Sequence, residues 1–267
     1  MGHHRPIMQI LLTNDDGIES TGIAVLADAL ADHGEVTVVA PAEDQSAVGR
    51  TLSDRVVVEE HDLGYAVEGT PADCVVAGLG SLCPDADLVV SGCNQGANLG
   101  EYTLGRSGTI SAAVEATFFD VPAIAVSLYI PGGDIDFREY AAREDEYDEA
   151  VRATGHLVTN ALGDGIFERA DYLNVNAPTS AATDGERGEM EITYPSEVYQ
   201  LTAVGDDGDF TLRDRIWQRM ADGTIPDPAG TDRRAVFEGR VSVSPLTAPH
   251  TTEAHDALSA VAESYGR

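Results

Sequence analysis

Three polar loops carry the chemistry of this chain, each leaving an apolar run: "TNDDG" at 13–17, "PAEDQSAVGRTLS" at 41–53 and "SGCNQGANLGEYTLGRSGT" at 91–109. Together they offer Asp15, Asp16, Ser46, Asn94 and Asn98, all oxygen donors, without a His or Cys among them. That set suits a hard divalent cation such as Mg²⁺, Mn²⁺ or Ca²⁺. Two adjacent carboxylates repel each other, and taking each from water costs several kcal/mol unless a countercharge is present. Side chains alternate faces along a strand, so Asp15 and Asp16 converge only if the chain turns there, a freedom that Gly17 supplies. Taken alone, Asp-Gly is a common turn pair with solvated acids. Its position after a buried strand, with two further polar loops at hand, favours the cation.

A second constellation is "GRSGT" at 105–109, which opens a helix at 108–119. A helix N-terminus presents free N–H groups and the positive end of the dipole to an anion. Ser107 and Thr109 hydroxyls add donors and Arg106 adds charge; a plain Ser/Thr cap reads equally well from this segment alone. The segment also resembles a nucleophile elbow, but G-x-S-x-G requires glycine where Thr109 stands, and no histidine is placed to serve it. His33 ends a helix, His61 lies in a hairpin, His156 belongs to a charged helix, and His250 and His255 fall in the tail. No G-x-G-x-x-G follows the first strand, and a chain without lysine has no Walker loop.

The elements that must position these loops alternate. Residues 7–13, 35–41, 86–92, 121–128 and 170–178 read as strands. Helices are expected at 20–33, with Ile23, Leu26, Ala27 and Leu30 on one face, from Thr70 with a T-x-x-D box, and at 108–119. A strand pair is expected at 55–69 and a charged, exposed helix at 136–162. This rhythm predicts an α/β fold, a Rossmann-like, mostly parallel sheet with helices on both faces. Ligands of such sheets bind beyond the carboxyl ends of the strands. After Pro178 the pattern changes to hairpin-like alternation at 191–204, a polar stretch broken by Gly and Pro, a short strand at 240–246 and a terminal helix at 252–264. We expect a domain at 1–178 and an extension with hairpins at 179–267 that serves as an oligomerisation arm.

"NDDG" at 14–17, "QSAVG" at 45–49, "GTPADCV" at 69–75, "VSGCNQGANLG" at 90–100, "SGT" at 107–109, "NVNAP" at 174–178 and "TDRRAVFEGRVSVSPL" at 231–246 together resemble the SurE (survival protein E) family of 5′/3′-nucleotidases. The resemblance runs through nearly the whole chain in order. It implies hydrolysis of nucleoside monophosphates to nucleoside and phosphate with one divalent cation per subunit, Mg²⁺ or Mn²⁺. It also implies a homodimer or homotetramer through a C-terminal arm. By motif, Asp15, Asp16, Ser46 and Asn94 match the metal ligands, with Asp15 and Asp16 catalytic. Asn98, Ser107, Gly108 and Thr109 match positions near the bound phosphate. Whether water or an aspartate attacks phosphorus stays open. The chain departs from the pattern at Arg106, where tyrosine is usual, at Ala47, where glycine follows Q-S, and at Pro249, where an aspartate is expected. A non-catalytic metal- or nucleotide-binding regulator and a metal-dependent nucleotide-sugar transferase are the competing classes.

Composition describes the surroundings. The chain has 46 acidic and 16 basic residues in 267, a net charge of -30, and every basic residue is arginine. Such a surface opposes nucleic-acid polymers. No run approaches the roughly 18 to 20 apolar residues of a membrane span. The cysteines Cys74, Cys83 and Cys93 form no CxxC pair and fit a reducing, cytoplasmic setting. The acids are spread over the whole length, which favours adaptation to a salt-filled cytoplasm over a module that docks basic partners. At 1 M salt the Debye length is about 3 Å and self-repulsion is largely screened. Far-ultraviolet circular dichroism on dilution from multimolar to low KCl is therefore expected to show loss of structure. Retention of structure, with tight binding to a basic protein at low salt, contradicts this reading.

Overall fold

The computed structural model describes residues 7–131, 140–163, 165–179, 188–206 and 208–248. The strands are β1 (Gln9–Thr13), β2 (Glu35–Pro41), β3 (Val58–His61), β4 (Gly64–Val67), β5 (Leu88–Gln95), β6 (Ala123–Tyr129), β7 (Tyr172–Pro178), β8 (Met190–Ile192), β9 (Leu201–Asp206), β10 (Asp209–Asp214) and β11 (Val241–Leu246). The helices are α1 (Thr21–Leu30), α2 (Pro71–Ala77), α3 (Glu101–Leu104), α4 (Gly108–Thr117), α5 (Asp148–Ala161), α6 (Ile216–Ala221) and α7 (Asp232–Phe237). Nine strands form one sheet in the order β3-β4-β2-β1-β5-β6-β7-β11-β8. β3 runs antiparallel to β4 and β11 antiparallel to β7, while every other pairing in that sheet is parallel.

The continuous apolar runs of the central strands are explained by what covers them. Ile10 and Leu12 of β1, with Val38 and Ala40 of β2, face α1 and α5; Leu11 and Val39 face α2 and α4 on the other side. A sheet covered on both faces has no solvent side to alternate toward. Helix α1 buries Ile23, Leu26 and Leu30, as its spacing predicts. Thr70 caps α2 and Asp73 closes the box, its carboxylate accepting from the Thr70 N–H at 2.8 Å.

Three features differ from the expected pattern. Of the segment expected as one charged, exposed helix at 136–162, residues 136–139 lie outside the described residues; a 3-10 turn spans Glu144–Tyr147, α5 begins at Asp148, and its face with Ala150, Ala153, Leu157 and Val158 packs into the core. Asp148 is exposed, whereas Glu149 and, just before the helix, Glu146 are buried. Phe118 lies beyond the end of α4 and is exposed. The polar stretch between β10 and β11 contains α6 and α7, which bury Met220, Ile225 and Val236 against Leu99 and Tyr129. The helix expected at 252–264, together with Pro249, His250 and His255, lies outside the described residues.

Strand order places the loops. β1 leads by way of α1 to β2 on one side, whereas β5 leads to β6 and β7 on the other. The chain thus reverses direction between β1 and β5, and the crevice beyond their carboxyl ends is where such sheets bind ligands. Asp15, Asp16 and Asn94 all sit at that crevice.

The loop after β5 is pinned by a buried charge network. Asp232 is fully buried and accepts from the backbone N–H of Gly100 at 2.7 Å, Ser196 at 3.0 Å and Arg233 at 2.7 Å. Arg233, 2% exposed, pairs with Asp227 at 2.5 Å and donates to the Ser196 hydroxyl and the Val198 carbonyl. Removing one partner leaves buried donors unsatisfied. Asp232→Ala is expected to cost about 3 to 5 kcal/mol in urea unfolding at high salt. A loss below about 1 kcal/mol contradicts this role.

Candidate active site

The crevice holds a cavity lined by Asp15, Asp16, Ser46, Asn94, Asn98 and Ser107, so six of the eight residues singled out from the sequence share one wall. The other two, Gly108 and Thr109, stand directly behind Asp15. A Cβ on Gly108 would lie 2.7 Å from the Asp15 Cβ, so only glycine lets the first turn of α4 approach this closely. Thr109 is fully buried, and its hydroxyl donates to Asp15 Oδ1 at 2.6 Å. Its backbone N–H also lies against the same carboxyl. The N-terminus of α4 therefore takes an anion, and part of that capacity goes to Asp15 itself.

Gly17, at φ +93°, provides the turn that the paired aspartates need. The turn is held by Asn14, whose amide donates to the Gly17 carbonyl and to the Ser20 hydroxyl, each at 2.8 Å. Asp16 Oδ2 accepts from the Gln95 N–H at 2.8 Å, and the Gln45 N–H donates to the Asp15 carbonyl at 2.7 Å. Each of the other two loops thus binds the first through its backbone. Asp15 is 3% exposed, and burial raises its carboxyl above the usual carboxylate range against the opposing pull of Thr109. Asp16 is raised by burial and then by the charge of Asp15. Among the described residues no arginine or histidine pairs with either carboxylate.

The neutral donors are prepared for a cation. The Ser46 hydroxyl donates to Asp44 Oδ1 at 2.5 Å, and the Ser46 N–H to the same oxygen at 2.8 Å. With its proton so engaged, Ser46 Oγ offers lone pairs. Asn94 gives its amide nitrogen to the Gly96 carbonyl, which leaves Oδ1 as its ligating atom. Among the described residues no three His, Cys, Asp or Glu side chains gather into a metal-binding group. The donor set here is two carboxylates completed by neutral oxygens, which fits a hard cation and excludes a zinc-thiolate or histidine site.

Ser107 caps α4 by accepting from the Ile110 N–H at 3.1 Å, and so keeps its own O–H for a ligand. Asn98 is 5% exposed and ties the loop to the sheet: its side chain donates to Thr109 Oγ1 at 3.3 Å and Ser127 Oγ at 2.9 Å, and its backbone meets the side chains of Asn174 and Asn176. Residues not singled out beforehand also line the cavity, among them Asp44, Tyr140 and Tyr147. Asp44 sits within the quoted loop two residues before Ser46, while the tyrosines carry no motif. Ala47 has φ +61°, a left-handed conformation that glycine adopts more easily, which gives the usual glycine at this position its physical reason.

Comparison with known proteins agrees with this geometry. Residues 10–200 match the model of the family described as survival protein SurE. The chain is 61% identical over 258 residues to a protein of Natronomonas pharaonis named 5′-nucleotidase SurE, covering 97% of this chain and 100% of that one. It is 63% identical over 257 residues to the protein of the same name from Haloarcula marismortui, covering 96% and 94%. Both organisms are halophilic archaea, in keeping with the acidic composition. The crystal structure of the SurE protein from Aquifex aeolicus has a TM-score of 0.72 and 31% identity, covering 96% of this chain and 98% of that one. With the parallel sheet, the ordered motifs and these likenesses in agreement, the chain belongs to the SurE family.

Proposed function

We propose that the chain is a phosphomonoesterase that hydrolyses nucleoside 5′-monophosphates, and 3′-monophosphates, to nucleoside and phosphate with one divalent cation, Mg²⁺ or Mn²⁺, per subunit. The observation that carries this reading is the pair of adjacent carboxylates, Asp15 buried and Asp16 half-buried, which no arginine or histidine pairs with among the described residues, beside the N-terminus of a ten-residue helix. The names of relatives at 61% and 63% identity support the substrate class.

Asp15, Asp16, Ser46 and Asn94 would hold the cation. When bound, it neutralises phosphate charge and acidifies water. Thr109 fixes the direction of Asp15, and the Gln95 N–H fixes that of Asp16. Asp15 or Asp16 then orients or deprotonates the attacking water. The Ser107 hydroxyl and the Gly108 N–H, at the positive end of α4, receive the charge that grows on the phosphoryl oxygens. Asn98 holds that loop in register, and Thr109 acts on phosphate through Asp15.

The division into a metal- and phosphate-binding part at 1–178 and an extension at 179–267 belongs to this proposal, although β8 and β11 of the second part complete the sheet of the first. The β9–β10 hairpin pairs only with itself among the described residues and exposes Leu201, Val204, Phe210 and Leu212, which supports its use as an arm in a homodimer or homotetramer. Three free, buried cysteines support a cytoplasmic location, and among the described residues no helix is long and apolar enough to cross a membrane.

Inorganic phosphate release from 5′-AMP in multimolar KCl is expected with Mn²⁺ and not with EDTA. Asp15→Asn is expected to keep the fold by circular dichroism and lose roughly 10³-fold or more in turnover. Full activity in that variant removes the metal site from the account. No turnover with Mn²⁺, Mg²⁺ or Co²⁺ in folded protein points to a non-catalytic binder.

A further inference from the structure

The cavity in front of Asp15 and Asp16 measures about 960 Å³, far more than a phosphate group and one cation fill. Pockets for whole small molecules run from roughly 300 to 1,000 Å³. Among the described residues its wall carries four carboxylates, those of Asp15, Asp16, Glu19 and Asp44, and a single cationic side chain, Arg106. In a chain with 46 acidic residues, Arg106 has no carboxylate partner among the described residues.

Arg106 is held in one pose. Its Nη1 donates to the Tyr102 carbonyl at 2.7 Å, and its guanidinium carbon lies 3.8 Å from the centroid of the Tyr102 ring. The Tyr102 ring stacks on Tyr199, with centroids 5.8 Å apart and planes at 28°. The backbone is seated as well: the Arg106 N–H donates to the Thr103 carbonyl at 2.9 Å, and a Cβ on Gly49 would come within 3.0 Å of the Arg106 Cα. The result is a flat, exposed cation backed by an aromatic ring on the wall of the cavity, next in sequence to Ser107.

We propose that Arg106 is the specificity-determining residue for the nucleoside part of the substrate, with the base stacking on the guanidinium plane. The inference rests on the phosphomonoesterase reading above. Guanidinium planes stack on flat π-systems, and a plane already held against a ring loses little freedom on doing so. A second phosphate is the competing occupant of a rim cation. A contact with phosphate would affect ribose 5-phosphate as much as 5′-AMP, whereas a contact with the base would not. In concentrated salt the Debye length falls to about 3 Å, so Arg106 acts by contact and not by steering.

The test compares 5′-AMP with ribose 5-phosphate, which carries a phosphate ester and no base. KM and kcat in multimolar KCl with Mn²⁺, and dissociation constants by equilibrium dialysis, are measured for the wild type, R106Q, R106K and R106Y. R106Q and R106K are expected to raise the KM for 5′-AMP about tenfold with kcat changed less than about twofold. R106Y keeps the wild-type value because a ring replaces the plane, and ribose 5-phosphate is affected by none of the three. The proposal is overturned if R106K retains the wild-type KM while R106Y loses it, if ribose 5-phosphate weakens as much as 5′-AMP, or if no variant changes either. A wild type that turns over neither ester contradicts the hydrolase reading instead, and the dissociation constants then decide the base contact by themselves.

Discussion

The structure depends on holding two adjacent carboxylates, Asp15 buried and Asp16 half-buried, at the end of β1. Each is raised by desolvation, and Asp16 feels Asp15 as well. Left to themselves such groups stay protonated or move out to water. Here they cannot move out to water, because the surrounding chain over-determines their position. Thr109 and Gly108 close on Asp15 from α4, Gln45 reaches its carbonyl from the second loop, and Gln95 reaches Asp16 from the third. A cation is the natural resolution of the strain between their geometry and their charge.

That constraint propagates outward. Asn98 links the α4 side of the crevice to β6 and β7 through Ser127, Asn174 and Asn176. The next residues, Leu99 and Gly100, are held by the cluster around α6 and α7 and by Asp232. Segments far along the chain therefore set the rigidity of the site, since Asp232 bonds to Gly100 across a separation of 132 positions. The C-terminal extension contributes to the site by bracing this loop.

Much of this was legible in the sequence. The central strands were readable because a sheet covered on both faces leaves uninterrupted apolar runs, and α1 and α2 because their spacing and caps are local signals. That the candidate site residues share one crevice was readable because polar loops at strand ends meet once the sheet is parallel, whereas their assignment to metal and phosphate rested on the family resemblance. Other features depend on tertiary contact. Helix α5 hides a buried stripe under dense acidic residues, α6 and α7 are six-residue helices without enough length to show a period, and β11 joins the main sheet only by pairing with β7. Thr109 looked like a phosphate ligand by position, and only the packing of Gly108 on Asp15 reveals that it serves the carboxylate first. Tyr140 and Tyr147 reach the cavity from a segment whose composition says nothing of it.

The net charge of -30 bears on conditions more than on substrate: the acids are distributed over the surface, and the site draws on only a few of them. The most direct test of the central claim is the melting temperature in multimolar KCl as Mn²⁺ is titrated, for the wild type and for Asp16→Asn. A cation held by the paired carboxylates binds the folded chain and not the unfolded one, so the melting temperature of the wild type rises with the logarithm of Mn²⁺ concentration above the dissociation constant. In Asp16→Asn the rise is lost. A wild-type melting temperature indifferent to Mn²⁺ and Mg²⁺, or a variant that responds as the wild type does, contradicts the account.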